Sequence, residues 1–377
     1  MGSLPARVAA YGHATGRPVW EPGGAVHRLA PMHGLRFSAV AWVFGLAALG
    51  SQQPADAAKA PNAMELYDLA WQEAVRLLEA SERELLQVPF APDRSLGELG
   101  LDPARLPGVV DKAAGARQLF AQATAAARCE LADPGGSASS FDDRTVVRVY
   151  QLAVLVAAHG WFARVEQPAV AVADAASLLR ASRQLSRLEH RDGLAFHGTV
   201  EMLGLCLLAD ALQQLARGPR DAAVVAEARR ELAAHRERRI TLEEYYAHQL
   251  RIAELAMERP PAAREGDDAA TIASLAEGRE ARQLALAIVQ RSFAPYARGE
   301  LPTAEHARAV DAEIEAGWRV RGGAFEDLSR PERVRCMAYG MVEEVQVCLV
   351  DRLREQRDQI AIVSALDARF GELTQGR

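Results

Sequence analysis

A chain of 377 residues that is 49% hydrophobic and 25% charged can bury a sizeable core, which excludes disorder over most of its length. Its net charge of −6 is spread along the sequence, and it shows neither a strongly basic face nor a binding module, so nucleic acid is not an expected partner. Aromatic residues make up only 6%, so the core has to be built from Leu, Val, Ala and Ile. Only Lys59 and Lys112 are lysines. The arginine bias among the other basic residues suits carboxylate or phosphate binding, and a GC-rich genome accounts for it equally well.

Residues 1–31 carry Gly and Pro every few positions and show no period, which reads as a disordered extension or as a start misassigned ahead of Met32. The 13 residues from Phe37 to Leu49 are uncharged and follow Arg36. A membrane span needs about 20 such residues, whereas the apolar region of a secretory signal runs to about 7–15. Small residues in Ala48-Leu49-Gly50 suit cleavage before Ser51, and Ala55-Asp56-Ala57 offers a second site. Residues 32–57 are therefore read as a signal peptide, with an uncleaved N-terminal membrane anchor as the alternative. No Cys follows the apolar run, which disfavours a lipoprotein anchor. The expectation is an exported protein, periplasmic or extracellular.

Asn62 is placed to cap a helix running through AMELYDLAWQEAVRLLEASERELLQV to Pro89, and a second helix is expected over about 111–130. The DPGGSASS segment reads as a loop. Beyond it the pattern predicts a helix stopped by Pro168, another from there to about His190, and a third capped by Asp192 and stopped by Gly218-Pro219. Further helices are predicted at DAAVVAEARRELAAHRER, at TLEEYYAHQLRIAELAME after a Thr241 cap, at 268–291 and at 303–317. A last long one runs from Ser329 towards Phe370. No run alternates as a strand does, so the fold is read as all-α: antiparallel helical hairpins forming a multi-helix bundle or an irregular array. One domain is expected over 62–377, with a subdomain boundary near 259–268 as the alternative, and no strict repeat is present.

Several motifs occur together: the Asn62-Ala63 opening with Tyr67 and Ala70, the Arg128-Cys129 pair, Arg148 through LAVLVAAHG, and LLRASRQLSRLEHRDGLAFHGTVEMLGLCLLADAL. In this layout residues 62–216 resemble a family of uncharacterised exported bacterial helical proteins. The resemblance implies export and helicity, and it brings no activity and no catalytic residue.

Three residues make the best metal candidate: His190, His197 and Glu201. Spacings of seven and four would align them on one face of an unbroken helix, and imidazoles with a carboxylate suit zinc or iron. Asp192 and Gly193 are expected to break that helix, which favours cap or surface histidines instead. Glu244 and His248 read as a surface pair. Arg180, Arg183 and Arg187 read as a positive stripe on a solvated face. Trp71, Trp161, Phe162, Trp318 and Tyr245-Tyr246 read as packing residues, with Trp161 and Phe162 as an alternative groove lining.

The sequence lacks HExxH, a Glu three residues before any His, a GxxxxGK[ST] loop, GxSxG and CxxC. Of the cysteines, Cys336 and Cys348 appear on one predicted helix and too far apart to bond. Cys129 with Cys206 is a conceivable disulfide, and buried thiols are the simpler reading. No cofactor is expected. The favoured reading is a non-catalytic interaction or scaffold module that meets another envelope protein. The alternative is an exported enzyme or metal binder using His190, His197 and Glu201, with Arg183 beside them.

Overall fold

The chain enters its first helix at Asn62. Its side-chain oxygen accepts from the Met64 amide at 3.3 Å and from the Glu130 amide at 2.9 Å, while its nitrogen donates to the Glu130 carbonyl at 2.6 Å. One residue thus caps α1 (Ala63–Leu77) and ties segment 128–130 beside it. Ala63 N also donates to the Arg128 carbonyl at 2.8 Å, so two motifs far apart in sequence meet at one point.

In this computed structural model the described residues are 61–84, 86, 106–130, 143–188, 191–217, 221–257, 269–318, 327–345 and 349–375. The segments 1–31, 32–57 and 259–268, together with His190 and Cys348, lie outside them. The described residues contain thirteen α-helices and no strand, which is the all-α class expected from the sequence.

Three boundaries depart from the sequence reading. The single helix expected from Ala63 to Pro89 is two, α1 and α2 (Ala80–Glu84). Leu78 turns extended to bury its side chain, and Arg83 donates to the carbonyls of Val75 and Leu78 at 3.2 and 3.1 Å. The second predicted helix begins earlier and is divided at Ala113 into α3 (Leu106–Lys112) and α4 (Ala114–Ala125). The long C-terminal helix is also two, α12 (Arg330–Val345) and α13 (Leu349–Gln375). Cys336 therefore lies on a helix that ends before Cys348. The start of α13 has its own cap: the Asp311 carboxylate accepts from the Leu349 and Val350 amides at 3.0 and 2.8 Å.

The middle of the chain follows its patterns closely. Helix α5 (Asp143–Ala163) is followed by α6 (Pro168–Leu185), which takes Pro168 as its first residue, where a missing N–H costs nothing. Helix α7 (Arg191–Arg217) starts one residue ahead of Asp192, so Asp192 is not its cap and lies with Gly193 in its first turn, and the break expected near these residues falls between α6 and Arg191 instead. Asp221 caps α8 (Ala222–Arg238), and Thr241 with Glu244 closes a capping box at α9 (Leu242–Met257). Helix α10 (Ala269–Ser292) leads through a 3₁₀ turn at Tyr296–Arg298 to α11 (Ala304–Trp318). Gly299, with φ of 70°, closes that turn in the left-handed region.

Packing organises these helices around two apolar cores. The first draws on α1 and on α3 to α8 and includes Phe120, Leu152, Leu155, Leu178, Leu179 and Leu212. The second gathers Tyr245, Phe293, Tyr296, Ile288, Val342 and Leu349 from α9 to α13. Each fully buried Leu or Phe stabilises the fold by about 1.5–3 kcal/mol. Two helices serve both cores. Helix α7 gives Leu194 to the second and Leu203 to Leu215 to the first, and α13 gives Leu349 and Leu353 to the second and Leu366 and Phe370 to the first. The change from one core to the other thus comes between α8 and α9, ahead of 259–268. Segments Val146–Ala163 and Phe196–Ala216 are long and apolar enough to cross a membrane, and more than half of each is buried within the fold.

Candidate functional site

His197 and Glu201 stand one turn apart on α7, and each is 1% exposed. The sequence picked out this pair, and the structure places it in a buried ionic cluster where α7 meets α8, α9 and α13. Ser182 of α6 donates to the His197 carbonyl at 2.9 Å, which seats that turn against its neighbour.

The imidazole roles follow from the partners. His197 Nδ1 donates to the Leu194 carbonyl at 2.7 Å, so Nε2 is the acceptor and takes a hydrogen bond from Arg352 Nη2 at 2.8 Å. Burial and the Arg352 charge, with Arg239 and His248 further off, hold the His197 pKa well below its ordinary value. Arg352, 3% exposed, also ion-pairs with Glu355, and its guanidinium carbon lies 4.8 Å from the centroid of the Tyr245 ring. Gly198 permits this approach, because a methyl group there would overlap both Arg352 and Glu355.

Glu201 accepts from His235 Nε2 at 3.0 Å and forms an ion pair with Arg239, whose Nε lies 2.8 Å away. Burial alone would raise its carboxyl, but the His235 bond and the Arg239 charge outweigh that and hold it below the usual carboxylate range. Arg239 continues to Gln359 of α13, which donates in turn to the Gly198 carbonyl at 3.3 Å. On the far side, His235 Nδ1 lies 3.4 Å from Arg183 Nη1. The cluster therefore runs unbroken from α6 through α8 and α7 to α13. Two buried polar atoms beside it, Tyr245 Oη and Arg352 Nε, have no hydrogen-bond partner among the described residues.

Chemically, the cluster exchanges charge and hydrogen bonds within the chain. The carboxylate and imidazole lone pairs that would serve a metal point instead at guanidinium and imidazole N–H groups, and His190 lies outside the described residues. Among the described residues no group of three or more His, Cys, Asp or Glu side chains is arranged to hold a metal ion. His235, Arg239, Arg352, Glu355 and Gln359 escaped the sequence reading. The spacing of four between His235 and Arg239 was a signal. The α13 residues had none, because inward polar positions at 352, 355 and 359 look like an ordinary solvent-facing stripe.

The other sequence candidates fall elsewhere. Arg180 pairs with Glu231 of α8, so the expected solvated stripe lies partly at a helix interface. Glu244 and His248 do not pair with each other: Glu244 closes its capping box, and His248 Nδ1 donates to the Ser186 carbonyl at 2.9 Å. Cys129, Cys206 and Cys336 are thiols, so Cys129 and Cys206 are not bridged. Burial, with a smaller push from Glu130, raises the Cys129 thiol to about 12, which makes it an inert one. Trp71 and Trp161 pack against the first core and Tyr245 lies inside the second, while Phe162 is 37% exposed. His159 Nδ1 and Asp174 Oδ2 form a second half-buried pair at 2.6 Å, where burial raises the Asp174 carboxyl against the pull of His159 and Arg117.

Compared with known proteins, the chain matches no family model, no curated protein and no solved structure. The likeness of residues 62–216 to exported helical proteins rests on its motifs alone.

Proposed function

We propose that this chain is a non-catalytic exported helical module that acts by contact with another protein of the cell envelope, and that its buried ionic cluster is a clamp between helices. The observation that carries this reading is the internal use of the cluster: His197 Nε2, both His235 nitrogens and Glu201 Oε1 each face a group of the same chain. A reaction centre or metal site keeps at least one such atom directed at an open position. The leader-like segment at 32–57 supports export. Phe162 and Val165, 37% and 61% exposed at the end of α5, offer an apolar contact point for a partner.

The test uses full-length chain produced in its host with a photoreactive side chain at Val165 or, as control, at buried Leu155. A discrete cross-linked envelope protein from the Val165 position alone supports the module. Cytosolic chain with its leader intact contradicts export, and stoichiometric zinc or iron in the purified protein contradicts the clamp.

A further inference from the structure

A recess of about 220 Å³ opens between the start of α11 and the stretch of α13 from Val350 to Asp358. Small side chains create it: Ala304 and Ala307 on α11 face Val350 and Leu353 on α13, leaving an apolar floor. Its edge is of the opposite character, since Arg308, Arg354 and Arg357 all border it, together with Asp358. In a chain of net charge −6 this is a local concentration of positive charge.

The four charges are not equivalent. Partial desolvation raises the carboxyl of exposed Asp358, and the Arg354 charge opposes that. Arg308 and Arg357 come from different helices and have no ion-pair partner among the described residues. Two exposed guanidiniums bordering an apolar recess suit a ligand with an anionic head and a short apolar body. Drug-sized sites occupy about 300–1,000 Å³, so this ligand is small. At roughly 30 Å³ for each water-sized group the recess holds about seven of them.

We propose that the recess between α11 and α13 binds a small amphiphilic anion, a short-chain carboxylate or phosphate monoester, with its head on Arg308 and Arg357 and its chain on the floor formed by Ala304, Ala307, Val350 and Leu353. Binding there joins the start of α13 to α11, on the opposite side of α13 from Gln359 and the buried cluster. This role is separate from contact with an envelope partner and is tested on the purified full chain alone.

Hexanoate and butyl phosphate are the probes, with acetate and hexanol as controls for head and tail alone, read by calorimetry and thermal unfolding. Saturable one-to-one binding of hexanoate or butyl phosphate, at least tenfold tighter than either control, is the expected result, and the tighter of the two identifies the head group. The Arg308→Gln/Arg357→Gln double variant weakens that binding at least tenfold. Ala304→Phe, which fills the recess and keeps both arginines, abolishes it. Binding no tighter than the controls overturns the proposal, as does binding that survives in Ala304→Phe.

Discussion

His197 Nε2 lies 2.8 Å from Arg352 Nη2, although 155 residues separate the two in sequence. A guanidinium has only N–H groups to offer, so the imidazole has to accept, and its other nitrogen is already committed to the Leu194 carbonyl. The bond joins α7 to α13, the two helices that each feed both apolar cores. Its position makes it a link between cores as well as between helices.

Acid should loosen this link. The folded His197 pKa lies well below the value of about 6.5 that the unfolded chain has. Below that pH the unfolded chain binds more protons than the folded one, so the contribution of His197 is full above about 6.5 and lost as pH falls through it. Around the ring stand Arg352 and Glu355 from α13, Arg239 after α8, Tyr245 and His248 from α9, and Glu201 on its own helix. Glu201, held low, adds a loss of the same sign at lower pH, whereas Glu355, raised by burial against the pull of Arg352, acts in the opposite direction. Urea unfolding from pH 7.5 to 5.5 should therefore show the wild type losing up to about 1.4 kcal/mol per pH unit relative to His197→Gln. Parallel curves for the two proteins would remove His197 from the account.

Two buried tyrosines should behave oppositely when shortened to phenylalanine. Tyr296 Oη donates to Gln356 Oε1 at 2.8 Å inside the second core, so Tyr296→Phe should cost about 1 kcal/mol and leave an amide oxygen unsatisfied. Tyr245 is buried and its hydroxyl has no partner among the described residues, so Tyr245→Phe should be neutral or slightly stabilising while keeping the ring under Arg352. Chemical denaturation midpoints compare them directly. A loss above about 1 kcal/mol in Tyr245→Phe would mean that its hydroxyl makes a bond of its own.

Asp311 should matter out of proportion to its half-buried position. It satisfies two amide donors at the start of α13 from a different helix. Asp311→Ala should cost about 1–2 kcal/mol and speed hydrogen exchange at Leu349 and Val350 above that elsewhere in α13. Unchanged exchange at those two amides would show that another group caps the helix.

What the sequence made legible was local. Asp221 and Thr241 stand directly ahead of apolar runs, and the helices begin where they say. Pro168 marks a boundary in either role, as the stop of one helix or the first residue of the next. The breaks at Leu78 and before Leu349 carry no Gly or Pro, because the groups that stabilise them are a buried side chain and a carboxylate from another helix. The site divides in the same way. His197 and Glu201 were visible through their spacing of four on one helix. Of their partners, His235 and Arg239 show the same spacing of four at the end of α8, whereas nothing in the local pattern around Arg352 distinguishes an inward charge from a solvated one.

The central claim is that the polar contacts between α7 and α13 act as one clamp. A double-mutant cycle of His197→Leu and Arg352→Met, followed by urea unfolding at pH 7.5, tests it most directly. The clamp predicts a coupling of about 1–3 kcal/mol between the two positions. Losses that add to within about 0.5 kcal/mol would mean the two groups are merely neighbours.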